Sequence, residues 1–109
     1  MGDLPQPTLS ISHTRQADAH LIKLVGEMDL SNVGDARKAV LSAIYSSDVK
    51  VIVDLSELEF IDSTGISMLL EVQKASRMDS DCLWFRGAHA EVARILELTR
   101  VDEQLRFSD

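Results

Sequence analysis

Apolar positions along this chain change their period several times, and each change marks an element. Leu9 and Ile11 alternate with Ser10 and Ser12, the period-2 signature of a half-buried strand. Arg15 to Ala19 read as a hairpin loop, and Leu21 to Val25 as a second strand ending in a turn at Gly26-Glu27-Met28-Asp29. Val33, Ala36, Val40, Ala43 and Ile44 then fall on one face of a helix, whose start Ser31 or Asn32 is suited to cap. Val49 to Val53 is the strongest strand, β-branched and apolar enough for a central place in a sheet. A short polar turn from Asp54 leads to Phe60 and Ile61. The spacing next predicts a helix over 64–77, with Ile66, Leu69, Leu70 and Gln73 to one side and Met68 pointing outward. Cys82 to Phe85 form another short strand, broken at Gly87. Ala88 to Leu98 form a third helix, and Leu105 to Phe107 a terminal edge strand or extended tail.

The order β-β-α-β-α-β-α-β predicts a small α/β domain with a mixed, mostly parallel sheet and helices packed on it. Right-handed crossovers would carry the helix starts, Ser63 and Thr64 among them, to the carboxyl ends of the strands. Sites in open α/β sheets gather at that edge.

Composition narrows the partners more than the fold. The 109 residues suffice for one domain, read as a flexible leader over 1–7 with Pro5 and Pro7, then a domain over 8–109. Eighteen acids against eleven bases give a formal charge of −7, which speaks against nucleic acid and anionic membranes as partners. An acidic surface suits a basic protein partner and is equally an ordinary route to solubility. A single cysteine, no basic-then-apolar leader and no apolar run of membrane length make a cytoplasmic location the expectation.

Candidate chemistry is found mainly by subtraction. Neither phosphate-binding glycine loop occurs, and Ser63 stands between Asp62 and Thr64 where a nucleophile elbow would need a different setting. His13, His20 and His89 lack metal-ligand spacing and read as surface histidines. Cys82 reads as a buried strand residue and Trp84 as core. The expectation is no catalysis, no metal and no cofactor. What remains is Asp62-Ser63-Thr64-Gly65, with two hydroxyls and a carboxylate crowded at a helix start. The plain explanation is a capped helix with a tight backbone bend at glycine. The functional one is a hydroxyl presented in a fixed pose for modification.

Phe60-Ile61-Asp62-Ser63-Thr64-Gly65 resembles the phosphorylation motif of the STAS domain family, in particular its bacterial anti-sigma factor antagonists. Gly26-Glu27-Met28-Asp29 resembles the turn that follows the second strand in the same family, and the likeness runs from Leu9 to Phe107. The turn at Met78 to Asp81 departs from it, being acidic and without the glycines often found there.

The resemblance implies a small switch. The unphosphorylated form would bind an anti-sigma factor that is also a serine kinase, releasing a sigma factor. Phosphorylation of Ser63 would break the complex, and a serine phosphatase would reset it. Asp29, Asp62, Ser63, Thr64, Gly65 and Met68 would form the partner-binding edge. Similar stand-alone domains also serve as accessory subunits bound to the ATPase of lipid-transport ABC systems, which is the alternative. A nucleotide-binding or enzymatic domain has no motif in its favour.

Physical chemistry sharpens the switch. A phosphate adds about −1.5 to −2 charges at pH 7. At a helix start it lies near free N–H groups and the positive end of the dipole, so the fold should tolerate it. Its cost should fall on the interface, where an unpaired charge is worth about 3 kcal/mol or more, over a hundredfold in affinity.

Overall fold

The computed structural model describes residues 8–108; the leader expected over 1–7 lies outside the described residues. The elements run β1 (Leu9–Arg15), β2 (Ala19–Met28), α1 (Val33–Ser46), β3 (Lys50–Ile61), α2 (Ser63–Met78), β4 (Leu83–Arg86) and α3 (Ala90–Leu98). They form one four-stranded sheet in the order β1-β2-β3-β4. β1 pairs antiparallel with β2, and β2–β3 and β3–β4 are parallel, as two helical crossovers require.

The predicted terminal strand shrinks to a single rung. After a one-turn 3-10 helix at Val101–Glu103, Phe107 bridges to Phe85. The Phe85 N–H donates to the Arg106 carbonyl at 2.8 Å, and the Ser108 N–H to the Phe85 carbonyl at 2.8 Å. The tail therefore covers part of the β4 edge without adding a strand.

The largest departure from the sequence pattern is at 54–59, read as a turn and in fact the second half of β3. Register with β2 slips once between Lys23 and Val25 and again between Gly26 and Glu27, with the extra residue on β3 each time. These bulges break the period-2 alternation, so the strand does not announce itself. They also let its far end stay paired: Met28 stands opposite Ile61. Gly26 is needed here, for its φ is +112° and a Cβ would lie 2.3 Å from the Thr8 carbonyl oxygen.

The sheet has a covered face and an open one. Ile22, Leu24, Val53, Leu55 and Phe85 join apolar residues of α1, α2 and α3 in a single core. The α1 stripe expected from spacing, Val33, Ala36, Val40, Ala43 and Ile44, is buried in full. On the other face, Leu21, Ile52 and Trp84 stand outside that core. Trp84 is accordingly no core residue. It is half-buried, with Lys50 Nζ at 4.9 Å and Arg106 Cζ at 4.8 Å from the ring centroid.

Helix α2 is rotated from the expected setting. Its buried stripe is Gly65, Met68, Leu69, Val72, Gln73 and Ser76, while Ile66 and Leu70 are only partly buried. The stripe has regular helical spacing, but half of its members are not hydrophobic. Gln73 and Ser76 are buried because they hold backbone: the Arg106 N–H donates to Gln73 Oε1 at 2.7 Å, and the Leu83 N–H to Ser76 Oγ at 2.9 Å.

Candidate functional site

The carboxyl ends of β2 and β3 bring the two sequence motifs together. The Asp62 N–H donates to the Met28 carbonyl at 3.2 Å, one step beyond the Met28–Ile61 pair. Asp62 then turns the chain into α2 as its N-cap. Its Oδ1 accepts from the Thr64 N–H at 3.0 Å, the Gly65 N–H at 3.1 Å and the Thr64 hydroxyl at 2.5 Å. The Thr64 hydroxyl foremost, aided by the N–H groups of Gly65, Thr64 and Leu30 and against partial burial, holds the Asp62 carboxyl below its ordinary value.

This geometry separates the two hydroxyls. Thr64 is half-buried and its hydroxyl is committed to Asp62. Ser63 is the first residue of the helix and is exposed, and among the described residues its hydroxyl takes no hydrogen-bond partner. Asp62 has also claimed two N–H groups at the helix start. A phosphate on Ser63 would compete for them, so the helix end offers it less than the sequence suggests.

Asp29 leads the loop beside this site. Its Oδ1 accepts from the Ser31 N–H at 2.9 Å and the Ser31 hydroxyl at 2.6 Å. Asn32, at the N-cap position of α1, makes no capping bond; its Oδ1 instead accepts from the Asp29 N–H at 3.0 Å and its Nδ2 donates to the Glu27 carbonyl at 2.9 Å. The loop is thus pinned by its own side chains, a local Asx-type arrangement.

Two expected edge residues move inward. Met68 is completely buried in the core, not on the outer face of α2. The cause is the rotated stripe, which puts Met68 one turn after Gly65 on the packed side. Gly65 is buried too, and its missing Cβ makes room for the protein's own core: a Cβ would lie 2.5 Å from Ile61 Cγ1 and 3.2 Å from Met28 Cε. The apolar side chains that do reach solvent at this edge are Leu30, 74% exposed, and Phe60, 42% exposed. Leu30 is signalled in sequence by its place in a polar run with no helical or strand partner.

His13 and His20 stand apart from the site, while His89 lines a cavity with Gly26, Ser56 and Glu59. His13 Nδ1 and His20 Nε2 lie 3.0 Å apart across the β1–β2 hairpin, and the His89 ring donates to the Ser56 carbonyl. No group of three or more His, Cys, Asp or Glu is arranged to hold a metal among the described residues. No helix among them is long and apolar enough to cross a membrane.

A mixed four-stranded sheet covered by helices on one face, with a capped helix start presenting a spare hydroxyl, defines a STAS-type domain. The chain belongs to the family described as Mlab, STAS domain, whose model matches residues 11–106. Among curated proteins it is similar to the anti-sigma-B factor antagonist of Staphylococcus aureus, 22% identical over 101 residues covering 93% of this chain and 94% of that one. A solved anti-sigma factor antagonist from Mycobacterium paratuberculosis shares the fold with a TM-score of 0.81 and 17% identity, covering 92% of this chain and 85% of that one. The phosphorylated form of the Bacillus cell fate determinant SpoIIAA matches with a TM-score of 0.66 and 16% identity, over 94% and 92% of the two chains.

Proposed function

We propose that this protein is a cytoplasmic anti-sigma factor antagonist that works by binding and not by catalysis, with Ser63 as its phosphorylation switch. Unphosphorylated, it engages an anti-sigma factor with serine kinase activity and frees a sigma factor. Phosphorylated on Ser63 it lets go, and a serine phosphatase restores it. The observation that carries the reading is the contrast between the exposed, uncommitted Ser63 hydroxyl and the Thr64 hydroxyl bound to Asp62. It favours Ser63 over Thr64 as the acceptor. The antagonist named among the relatives supports the role, and a phosphorylated form of SpoIIAA is in keeping with control by phosphorylation.

The test is capture from native lysate with wild type, Ser63→Ala and Ser63→Glu as baits, each retained protein then being assayed for kinase activity on Ser63. Wild type and Ala should retain an ATPase with that activity, and Glu should lose it. Equal capture by all three would sink the switch. Phosphopeptide mapping should place the phosphate on Ser63 alone.

One observation favours a second reading. The matching family model is described as Mlab, STAS domain, and not by an antagonist's name. An accessory subunit on the ATPase of a lipid-transport ABC system would use the same edge. Retention of a transporter ATPase, with no kinase acting on Ser63, would decide for it.

A further inference from the structure

Charge is distributed unevenly about the Ser63 edge. Residues 24–36 and 51–73, which take in the end of β2, the loop after it, the start of α1, nearly all of β3 and most of α2, contain no Lys or Arg, although Lys23, Arg37 and Arg86 from outside them pair with Glu57, Glu71 and Asp54. Exposed Glu27 and Glu59 and half-buried Asp29 and Asp62 lie in these segments. Nearby Glu57 already has a partner in Lys23. Leu30 and Phe60 rise from the same segments, 74% and 42% exposed. Leu30 comes two residues after Met28 and Ser63 two residues after Ile61, and Met28 and Ile61 are paired across the sheet. Phe60 stands opposite Glu27 in the β2–β3 pairing and, next to buried Ile61, projects from the other face of the sheet.

Resting on the phosphoswitch reading, we infer that Leu30 and Phe60 are the apolar anchors of the partner contact, and that they fit a protein surface with an apolar recess rimmed by Lys and Arg. A second copy of this chain does not fit, because edge-to-edge docking would set uncompensated acids against acids. An anionic membrane is disfavoured for the same reason.

The sign of the switch demands the apolar anchors. Against a basic rim, an added phosphate strengthens long-range attraction. If charge alone held the complex, phosphorylation would tighten it. Release of the modified form then follows if affinity resides in a desolvated contact at this edge, which a hydrated dianion at Ser63 keeps wet. Phosphorylation then acts on the dissociation rate, and salt acts on the association rate.

The experiment uses the purified kinase that modifies Ser63 as the probe in surface plasmon resonance. Its analytes are the full chain as wild type, Leu30→Ser, Phe60→Ser, Ser63→Glu and the Ser63-phosphorylated form, at low and high salt. Leu30→Ser and Phe60→Ser should each weaken binding at least about 30-fold through faster dissociation, with thermal melts confirming that the variants fold. Leu30→Ser keeps the test open should Phe60→Ser destabilise the fold. High salt should lower the wild-type association rate about tenfold or more. The phosphorylated form should associate within a few-fold of wild type and dissociate faster. Loss of binding in Ser63→Glu with wild-type affinity in both apolar variants would overturn the anchors and leave the switch standing. Binding insensitive to salt would overturn the basic rim. Absence of any kinase acting on Ser63 would overturn the switch and the anchors together.

Discussion

β3 begins and ends in opposite chemical surroundings. At its amino end, three cations are engaged: Arg15 with Asp48 at 3.2 Å, Arg106 with Asp81 at 2.5 Å, and Lys50 and Arg106 on either side of Trp84 in sequence and both over its ring. At its carboxyl end, residues 54–66 contain no Lys or Arg, and Asp62 is satisfied by N–H groups and a hydroxyl. Charge at the first end is spent within the fold. At the second end Asp29 and Asp62 are held by neutral donors, and the cations that reach this part of the sheet, Lys23 and Arg86, are paired with Glu57 and Asp54. Under the proposed function, the second end is the one a partner reads.

Breaking the carboxyl end from beneath should have the largest effect. Met68 and Gly65 are its floor, completely buried and buried respectively. Met68→Ala should lower the unfolding free energy by about 2–5 kcal/mol, measured by urea denaturation, because it opens a cavity in the core. The folded fraction should keep full partner affinity. A stable Met68→Ala protein with weakened binding would return Met68 to the surface, where sequence spacing had put it.

That misplacement shows what the sequence does and does not carry. Element order, the α1 stripe and the capped start of α2 were legible, because each rests on local spacing or on side chains bonding their own backbone. The facing of α2 was not, because Gly65, Gln73 and Ser76 are buried for reasons hydrophobicity does not encode: a close approach to Ile61 and hydrogen bonds to the distant Arg106 and Leu83 N–H groups. The second half of β3 was hidden by two bulges whose register is fixed by β2, far away in sequence. Ser63, Asp62 and Asp29 could be placed together from motifs. Leu30 and Phe60 needed the sheet register to become neighbours of that site.

Removing the cap should come next in size. Asp62→Ala frees two N–H groups and the Thr64 hydroxyl, and should cost about 0.5–2 kcal/mol in urea denaturation. Asp62 also titrates below its ordinary value in the folded state, so between the two values the unfolded chain binds more protons. Its stabilisation is complete above about pH 4 and is lost as pH falls through the folded value. The stability difference between wild type and Asp62→Asn should therefore be constant above about pH 4 and change below it. Asp54 is a second carboxylate of this kind: burial would raise it, but the Ser56 hydroxyl and N–H together with Arg86 bring it lower. The Asp62→Asn background separates the two. A pH-independent difference down to pH 2 would show that Asp62 acts as a neutral cap.

At the amino end the effects should be smaller, since its charges are exposed. Lys50→Met removes one cation over Trp84 and keeps the aliphatic stem, at an expected cost of about 0.5–1 kcal/mol that high salt does not erase for the stem contribution. Partner affinity should be unchanged, because the proposed contact lies at the other end. Weakened binding in Lys50→Met would mean that the open face of the sheet, and not the Ser63 edge alone, meets the partner.

The smallest expected effect on stability belongs to the residue with the largest expected effect on function. Ser63 is exposed and its hydroxyl holds nothing among the described residues, while Asp62 supplies the cap and Thr64 braces it. Ser63→Ala should leave the unfolding free energy within about 0.5 kcal/mol of wild type. Alanine also suits a first helical turn. A loss above about 1 kcal/mol would mean that the hydroxyl is engaged in the fold, and phosphorylation would then have to displace it before acting on any partner. Stability near wild type, together with loss of phosphate incorporation, would leave Ser63 with a single role, that of the proposed phosphate acceptor.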